Sequence, residues 1–206
     1  MSFQTSNLEA ISDTFSSFLK AHRLEWEKSQ TAPRNLFEKA AECGLLGLET
    51  PVRFGGLGAP FSDKVALARK LSEHSMAAAF ALINSQNVAS RLRGSDHARH
   101  HEMADEILSA TRIGCTALTE PQAGSDFSSI TTTATQTADG WIINGSKAGL
   151  PTRPMPIQLC YMPKQMPARD GGGSPVSSLM RASPVSRAVK SIGSLAVISS
   201  AQANFT

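Results

Sequence analysis

The hydrophobic period changes twice along this chain, and the two changes limit what it can fold into. Up to about residue 110 the apolar residues recur at helical spacing. Leu8, Ile11, Phe15, Phe18 and Leu19 fall on one face of a first helix. A second helix is expected to start near Pro33, with Phe37, Ala40 and Ala41 inward and Gly44 ending it. Arg53–Pro60, RFGGLGAP, reads as a loop because three Gly and a Pro interrupt any regular element. A third helix is expected over 62–73, with Val65, Leu67, Ala68 and Leu71 as its apolar positions. Met76–Arg91 is Ala-rich and apolar on most sides, which suits the centre of a bundle. A fifth helix covers about 98–110.

From Ile113 the pattern turns β-like. IGCTALT is short and β-prone, and ITTTATQT is rich in β-branched residues. Asp139-Gly140 is a hairpin signal before Trp141-Ile142-Ile143, and Asn144-Gly145 is a second turn signal. The implied fold class is α+β: an N-terminal all-α helical domain over 1–112, then the start of an antiparallel β-domain over 113–148. A strand–helix–strand alternation of the Rossmann kind does not fit this order.

The second change comes after residue 150. Residues 151–206 hold seven of the eleven Pro, nine Ser and the Gly171-Gly172-Gly173 run, with no sustained period, so this tail is expected to be disordered. It also carries the chain's basic excess. Residues 1–150 have 14 Lys and Arg against 16 Asp and Glu, whereas the tail has six basic residues and only Asp170. A nucleic-acid partner would have to rest on a tail with one aromatic, Tyr161, before Phe205, and none is expected. Cys43, Cys115 and Cys160 are odd in number and widely spaced, which suits a reducing compartment. The N-terminus has neither a secretory nor a transit-peptide pattern, and no apolar run is long enough to cross a bilayer. The expectation is a soluble cytoplasmic chain without membrane insertion.

Thr119-Glu120-Pro121-Gln122-Ala123-Gly124-Ser125-Asp126 reads as a tight turn leaving a strand. Its successive amides could cradle a phosphate or a carbonyl oxygen, or form an ordinary β-turn. His97, His100 and His101 lack the further Cys or His that a tetrahedral site needs, so no metal is expected. Neither a nucleophile elbow nor a Walker loop is present. Phe54-Gly55-Gly56-Leu57-Gly58 follows a helix, which is the wrong place for a dinucleotide fingerprint.

Taken in order, several fragments over about 30–148 resemble the acyl-CoA dehydrogenase family. They are Gly44-Leu45-Leu46-Gly47-Leu48 with Pro51 and Phe54–Gly58, then Leu118-Thr119-Glu120-Pro121, Ala123-Gly124-Ser125-Asp126 and Asn144-Gly145-Ser146-Lys147. The resemblance implies FAD as cofactor and an acyl-CoA thioester as substrate, oxidised to the trans-2-enoyl-CoA. In the family a carboxylate removes the α-proton while the β-hydrogen leaves as hydride to the flavin. By resemblance Thr116, Ala117, Leu118, Thr119, Glu120, Pro121, Gln122, Ala123, Gly124 and Ser125 lie beside the flavin. Thr119 bonds the isoalloxazine ring, and Ser125 also serves the CoA portion of the substrate. By the same resemblance, the fourth helix and its neighbours wall the acyl pocket. An electron-transfer acceptor is the implied partner, and the family's homo-oligomer is not expected of so short a chain. A flavin-dependent monooxygenase or acyl-CoA oxidase of the same fold, and a non-catalytic acyl-CoA- or partner-binding helical module, stay open as alternatives.

The resemblance stops after Lys147. The family continues with an aromatic residue, Ile, Thr and Asn, whose Thr contacts the flavin, but this chain has Ala148-Gly149-Leu150-Pro151. The C-terminal helical domain that carries the family's catalytic Glu has no counterpart, so no catalytic base is assigned. The genetic code suggests a cause. If one base is missing from the codon for Ala148, the codons of Gly149–Thr152 permit Trp-Ile-Thr-Asn in the neighbouring frame. The Pro residues after Met155, Met162 and Met166 are then forced to Ala, and Tyr161 after Cys160 is forced to Leu. The tail is therefore expected to be a frame-shifted remnant of the β-domain, and the chain a truncated family member that is inactive alone.

Overall fold

A computed structural model describes residues 5–29, 33–96, 98–137, 140–148, 157–161, 190–192 and 195–204. The helical block comprises α1 (Thr5–Ser29), α2 (Arg34–Glu42), α3 (Phe61–Ser72), α4 (Met76–Arg93) and α5 (Ala98–Leu108). On α1 the expected stripe faces inward: Leu8, Phe15 and Leu19 are buried, and Ile11 and Phe18 pack against the core. Pro33 gives α2 an extended N-cap. Gly44, at φ 72, supplies the left-handed residue that ends it.

Residues 45–59 fold back on themselves. Leu57 N donates to Gly47 O at 2.9 Å, Gly58 N to Thr50 O at 2.9 Å and Ala59 N to Leu48 O at 2.8 Å. Within the expected loop, a 3-10 turn over Val52–Phe54 takes in Arg53 and Phe54.

Helix α3 is rotated from its expected face. Leu67 and Leu71 are buried, but Val65 is 52% exposed and Lys64 is buried in its place. Lys64 Nζ donates to Asn87 Oδ1 at 2.6 Å and pairs closely with Glu49, so the buried ammonium is paid for by two acceptors. Helix α4 is buried on most sides and lies at the centre, as its composition suggests; Ser75 caps it by accepting from Ala78 N at 3.3 Å. Helix α5 ends at Leu108, two residues short of the expected limit, where Ala110 turns left-handed at φ 56.

Strand β1 (Ile113–Ala117) lies against α4. Ser85 Oγ donates to Gly114 O at 3.1 Å, and a Cβ on Gly114 would sit 2.9 Å from Ser85 Cα and 2.8 Å from Val88 Cβ. The absent side chain is what allows helix and strand to touch. Strands β2 (Thr133–Thr137) and β3 (Gly140–Ala148) form the expected antiparallel hairpin, with Thr137 opposite Gly140; Asp139 itself lies outside the described residues.

Three features differ from the sequence reading. Asn144-Gly145 is not a turn: it lies inside β3, where the register to the next strand shifts between Ile143 and Gly145. A bulge replaces the turn because Gly145 lies against Thr132, and a Cβ there would fall 2.7 Å from Thr132 Cβ. Strands β4 (Ile157–Tyr161), β5 (Lys190–Ile192) and β6 (Leu195–Asn204) fall within 151–206, where composition points to disorder. Short runs such as LAVIS retain strand propensity inside a biased segment, and the edges of β1 and β3 give them partners. Finally, β1 and β4 pair in parallel, Ile113 opposite Ile157 through Ala117 opposite Tyr161, while β2-β3-β6-β5 is antiparallel. A parallel pair needs a long crossover, and the 39 residues between Ala117 and Ile157 supply one.

Candidate functional site

Strand β1 delivers the chain into the segment that the sequence singles out, and the structure sorts its residues by environment. Ala117, Glu120 and Ala123 are buried, Thr116 and Leu118 are half-buried, and Thr119, Pro121, Gln122, Gly124 and Ser125 are exposed. The turn is closed by paired backbone bonds: Glu120 N donates to Ala123 O at 2.8 Å, and Ala123 N to Glu120 O at 3.1 Å. Beyond it, Asp126 accepts from Ser128 N at 2.9 Å and caps the 3-10 turn Phe127–Ser129. A Cβ on Gly124 would meet nothing within 4 Å, so this edge of the turn borders open space. Thr119 and Ser125 thus have the exposure that a ligand-facing role requires.

Glu120 points the other way. Its carboxylate accepts three hydrogen bonds on each oxygen. Oε2 receives Thr131 N at 2.7 Å, Thr131 Oγ1 at 2.9 Å and Gln122 Nε2 at 2.7 Å. Oε1 receives Thr132 N at 3.0 Å, Lys147 Nζ at 2.8 Å and a short bond from Thr132 Oγ1. Both partners of the ion pair are almost wholly out of water, at 1% exposure for the Lys147 side chain and 0% for Glu120. Burial on its own would raise the Glu120 pKa. The Lys147 ammonium and the donors of Thr131 and Thr132 outweigh it and hold the carboxyl well below the usual carboxylate range. Glu120 therefore stays ionised, and its side chain is committed to the protein; any contact it makes with a ligand is left to its backbone.

Lys147 also donates to Leu118 O at 3.1 Å, and the next residue, Ala148, donates from its N to Thr119 O at 2.9 Å. Lys147 belongs to a family-like motif in the sequence, but nothing local to it marks it as the partner of Glu120, nor Thr131 and Thr132 as donors. The only available signal was an acid and a base in strand-rich segments of a domain with few charges.

The two described histidines of α5 are both engaged by Ser95. His100 Nδ1 lies 2.8 Å from Ser95 Oγ and His101 Nε2 lies 2.7 Å from Ser95 O, while His97 is outside the described residues. No group of three or more His, Cys, Asp or Glu able to hold a metal occurs among the described residues. No helix among them is long and apolar enough to cross a membrane.

With this geometry in view, the resemblances to known proteins fall on the same segments. The sequence model of the acyl-CoA dehydrogenase N-terminal domain matches residues 4–105, and that of the acyl-CoA dehydrogenase middle domain matches residues 115–161, running past the point where the sequence motifs stop. Benzylmalonyl-CoA dehydrogenase of Aromatoleum aromaticum is 31% identical over 159 residues, covering 73% of this chain and 42% of that protein. The mitochondrial long-chain specific acyl-CoA dehydrogenase of Sus scrofa is 32% identical over 142 residues, covering 68% of this chain and 33% of its own length. Among solved structures, glutaryl-CoA dehydrogenase from Mycobacterium smegmatis superposes with a TM-score of 0.63 at 25% identity, covering 71% of this chain and 40% of that one. The chain thus spans less than half the length of these relatives.

Proposed function

The chain belongs to the acyl-CoA dehydrogenase family, and from that premise we propose that it carries the flavin-turn portion of an enzyme that converts an acyl-CoA thioester to the trans-2-enoyl-CoA. We further propose that these 206 residues do not catalyse the reaction alone. Members of the family are FAD-dependent flavoproteins. When bound, FAD supplies the acceptor for the hydrogen that leaves the β-carbon.

The observation that carries this reading is the Thr119–Ser125 turn: it is rigidly closed, exposed on one edge, and lies where the family's middle domain matches. Residues Thr116–Ser125 are assigned to the cofactor, with the Thr119 hydroxyl as a hydrogen-bonding group for the ring. Ser125 serves both cofactor and substrate. Helix α4, seated on β1 through Ser85 and Gly114, fixes one wall of the acyl site relative to that turn. The proton on the α-carbon needs a positioned base, a contribution of ~10²–10⁴-fold, and none is assigned in this chain. The similarity to dehydrogenases favours this reading over the oxidase, monooxygenase and non-catalytic alternatives. An electron-transfer acceptor and a cytoplasmic setting complete the proposal.

The test is to titrate the purified chain anaerobically with acyl-CoAs of several lengths in the presence of FAD. A second version of the gene, with one base restored in codon 148, is treated alike. The present chain is expected to leave flavin absorbance unchanged, and the restored frame to yield a longer flavoprotein that bleaches. Bleaching by the present chain, or an early stop codon in the restored frame, would reject the proposal.

A further inference from the structure

Three stretches distant in sequence meet at the Glu120 carboxylate: the turn itself through Gln122, the lead-in to β2 through Thr131 and Thr132, and the end of β3 through Lys147. Residues 147 and 148 together grip residues 118, 119 and 120, through Leu118 O, Thr119 O and Glu120 Oε1. We propose that Glu120 and Lys147 are positioning residues whose buried pair sets the shape of the Thr119–Ser125 turn, and thereby the presentation of Thr119 and Ser125 to the flavin. Both side chains are buried within the protein, so neither is free to act on the cofactor directly. The inference rests on the FAD reading given above and adds to it the device that holds the turn.

An apolar pair of similar volume would fill the same space without desolvating two charges, so packing alone does not call for an ion pair here. A carboxylate does what no apolar group can. It accepts the Thr131 and Thr132 amides, the second of which would otherwise be left buried without a partner, and ties them to the turn through its own backbone. Lys147 supplies the countercharge that makes burial of that carboxylate tolerable, and its second bond to Leu118 O holds the residue that leads into the turn. The arrangement specifies backbone register rather than bulk.

The full chain is compared with its Glu120→Gln, Lys147→Met and double variants. Amide exchange is read at Ala123, which donates to Glu120 O, and at Ala148, which donates to Thr119 O. Ala79, which donates to Ser75 O in α4, reports the helical block. FAD affinity is read by fluorescence quenching. Each single variant is expected to exchange at least roughly tenfold faster at Ala123 and Ala148 with Ala79 unchanged, and to bind FAD roughly tenfold more weakly. The double variant is expected to be no worse than the worse single one, because the two residues act as a unit. Equal acceleration at all three amides would mean general destabilisation and overturn the proposal. So would unchanged exchange at Ala123 and Ala148, or FAD affinity within about twofold of the unmodified chain in both single variants. If the unmodified chain takes up no FAD, the flavin reading falls on its own, and the exchange rates decide whether the pair holds the turn. Should Glu120→Gln not fold, Lys147→Met, which leaves the threonine donors in place, carries the same comparison.

Discussion

Replacing Gly114 by Ala probes the seam that joins the helical block to β1. The added methyl would lie 2.8 Å from Val88 Cβ, 2.9 Å from Ser85 Cα and 3.0 Å from Ser85 O. Two of those three atoms belong to the backbone of a buried helix, so no side-chain rotation relieves the contact, and α4 and β1 must separate. Separation also strains the 3.1 Å bond from Ser85 Oγ to Gly114 O. Overpacking of this kind costs about 1–3 kcal/mol. For a chain of this length each kcal/mol moves the thermal midpoint by ~2–4 °C, so a fall of roughly 2–12 °C is expected. The control is Gly124→Ala, where the methyl meets nothing within 4 Å and the backbone is not left-handed. It is expected to stay within about 0.5 kcal/mol of the unmodified chain. The assay is helical circular dichroism against temperature for all three proteins. A Gly114→Ala midpoint within about 1 °C of the unmodified one, or a Gly124→Ala loss of equal size, would refute the reasoning.

Acid should act through Glu120. Its carboxyl is held below its usual range, so its contribution is complete above the unfolded pKa of about 4.3 and is lost as pH falls through that value toward the lower folded one. Chemical denaturation of the unmodified chain and Glu120→Gln between neutral pH and pH 3 should show a steeper acid loss in the former; parallel curves would contradict it. Lys64→Met should leave Glu49 and Asn87 without their shared cation and cost roughly 3 kcal/mol, toward the lower end for breaking a buried pair because Glu49 keeps some contact with water. Denaturation midpoints decide this, and a loss below about 1 kcal/mol would show that the pair is screened like a surface one.

The helical block was legible because its signals are local. Leu8, Phe15 and Leu19 show their shared face by spacing alone, and Gly44 ends α2 for a reason internal to its own backbone. What escaped depends on partners far along the chain. Val65 loses its inward place to Lys64 because Glu49 and Asn87, 15 and 23 residues away, make a buried ammonium tolerable. Asn144-Gly145 has the composition of a turn, and only its contact with Thr132 makes it a bulge. The segment around Thr119 was recognisable as a motif, yet which of its side chains face outward is decided by Lys147, 27 residues beyond Glu120. The tail's strands were masked by the Pro, Ser and Gly around them.

That separation of 27 residues between Glu120 and Lys147 has a consequence for biogenesis. Glu120 is polymerised, and later emerges from the ribosome, 27 residues ahead of its countercharge. At ~5–20 residues per second the wait is roughly 1–5 s, long compared with the microseconds in which a hairpin forms. Throughout that interval the helical block can collapse, but the Glu120 carboxylate lacks the cation that makes its burial tolerable. The buried pair is therefore completed late, when β3 arrives with Lys147. A chain that has emerged only as far as a point between the two positions holds the helical block but not the cation that Glu120 requires.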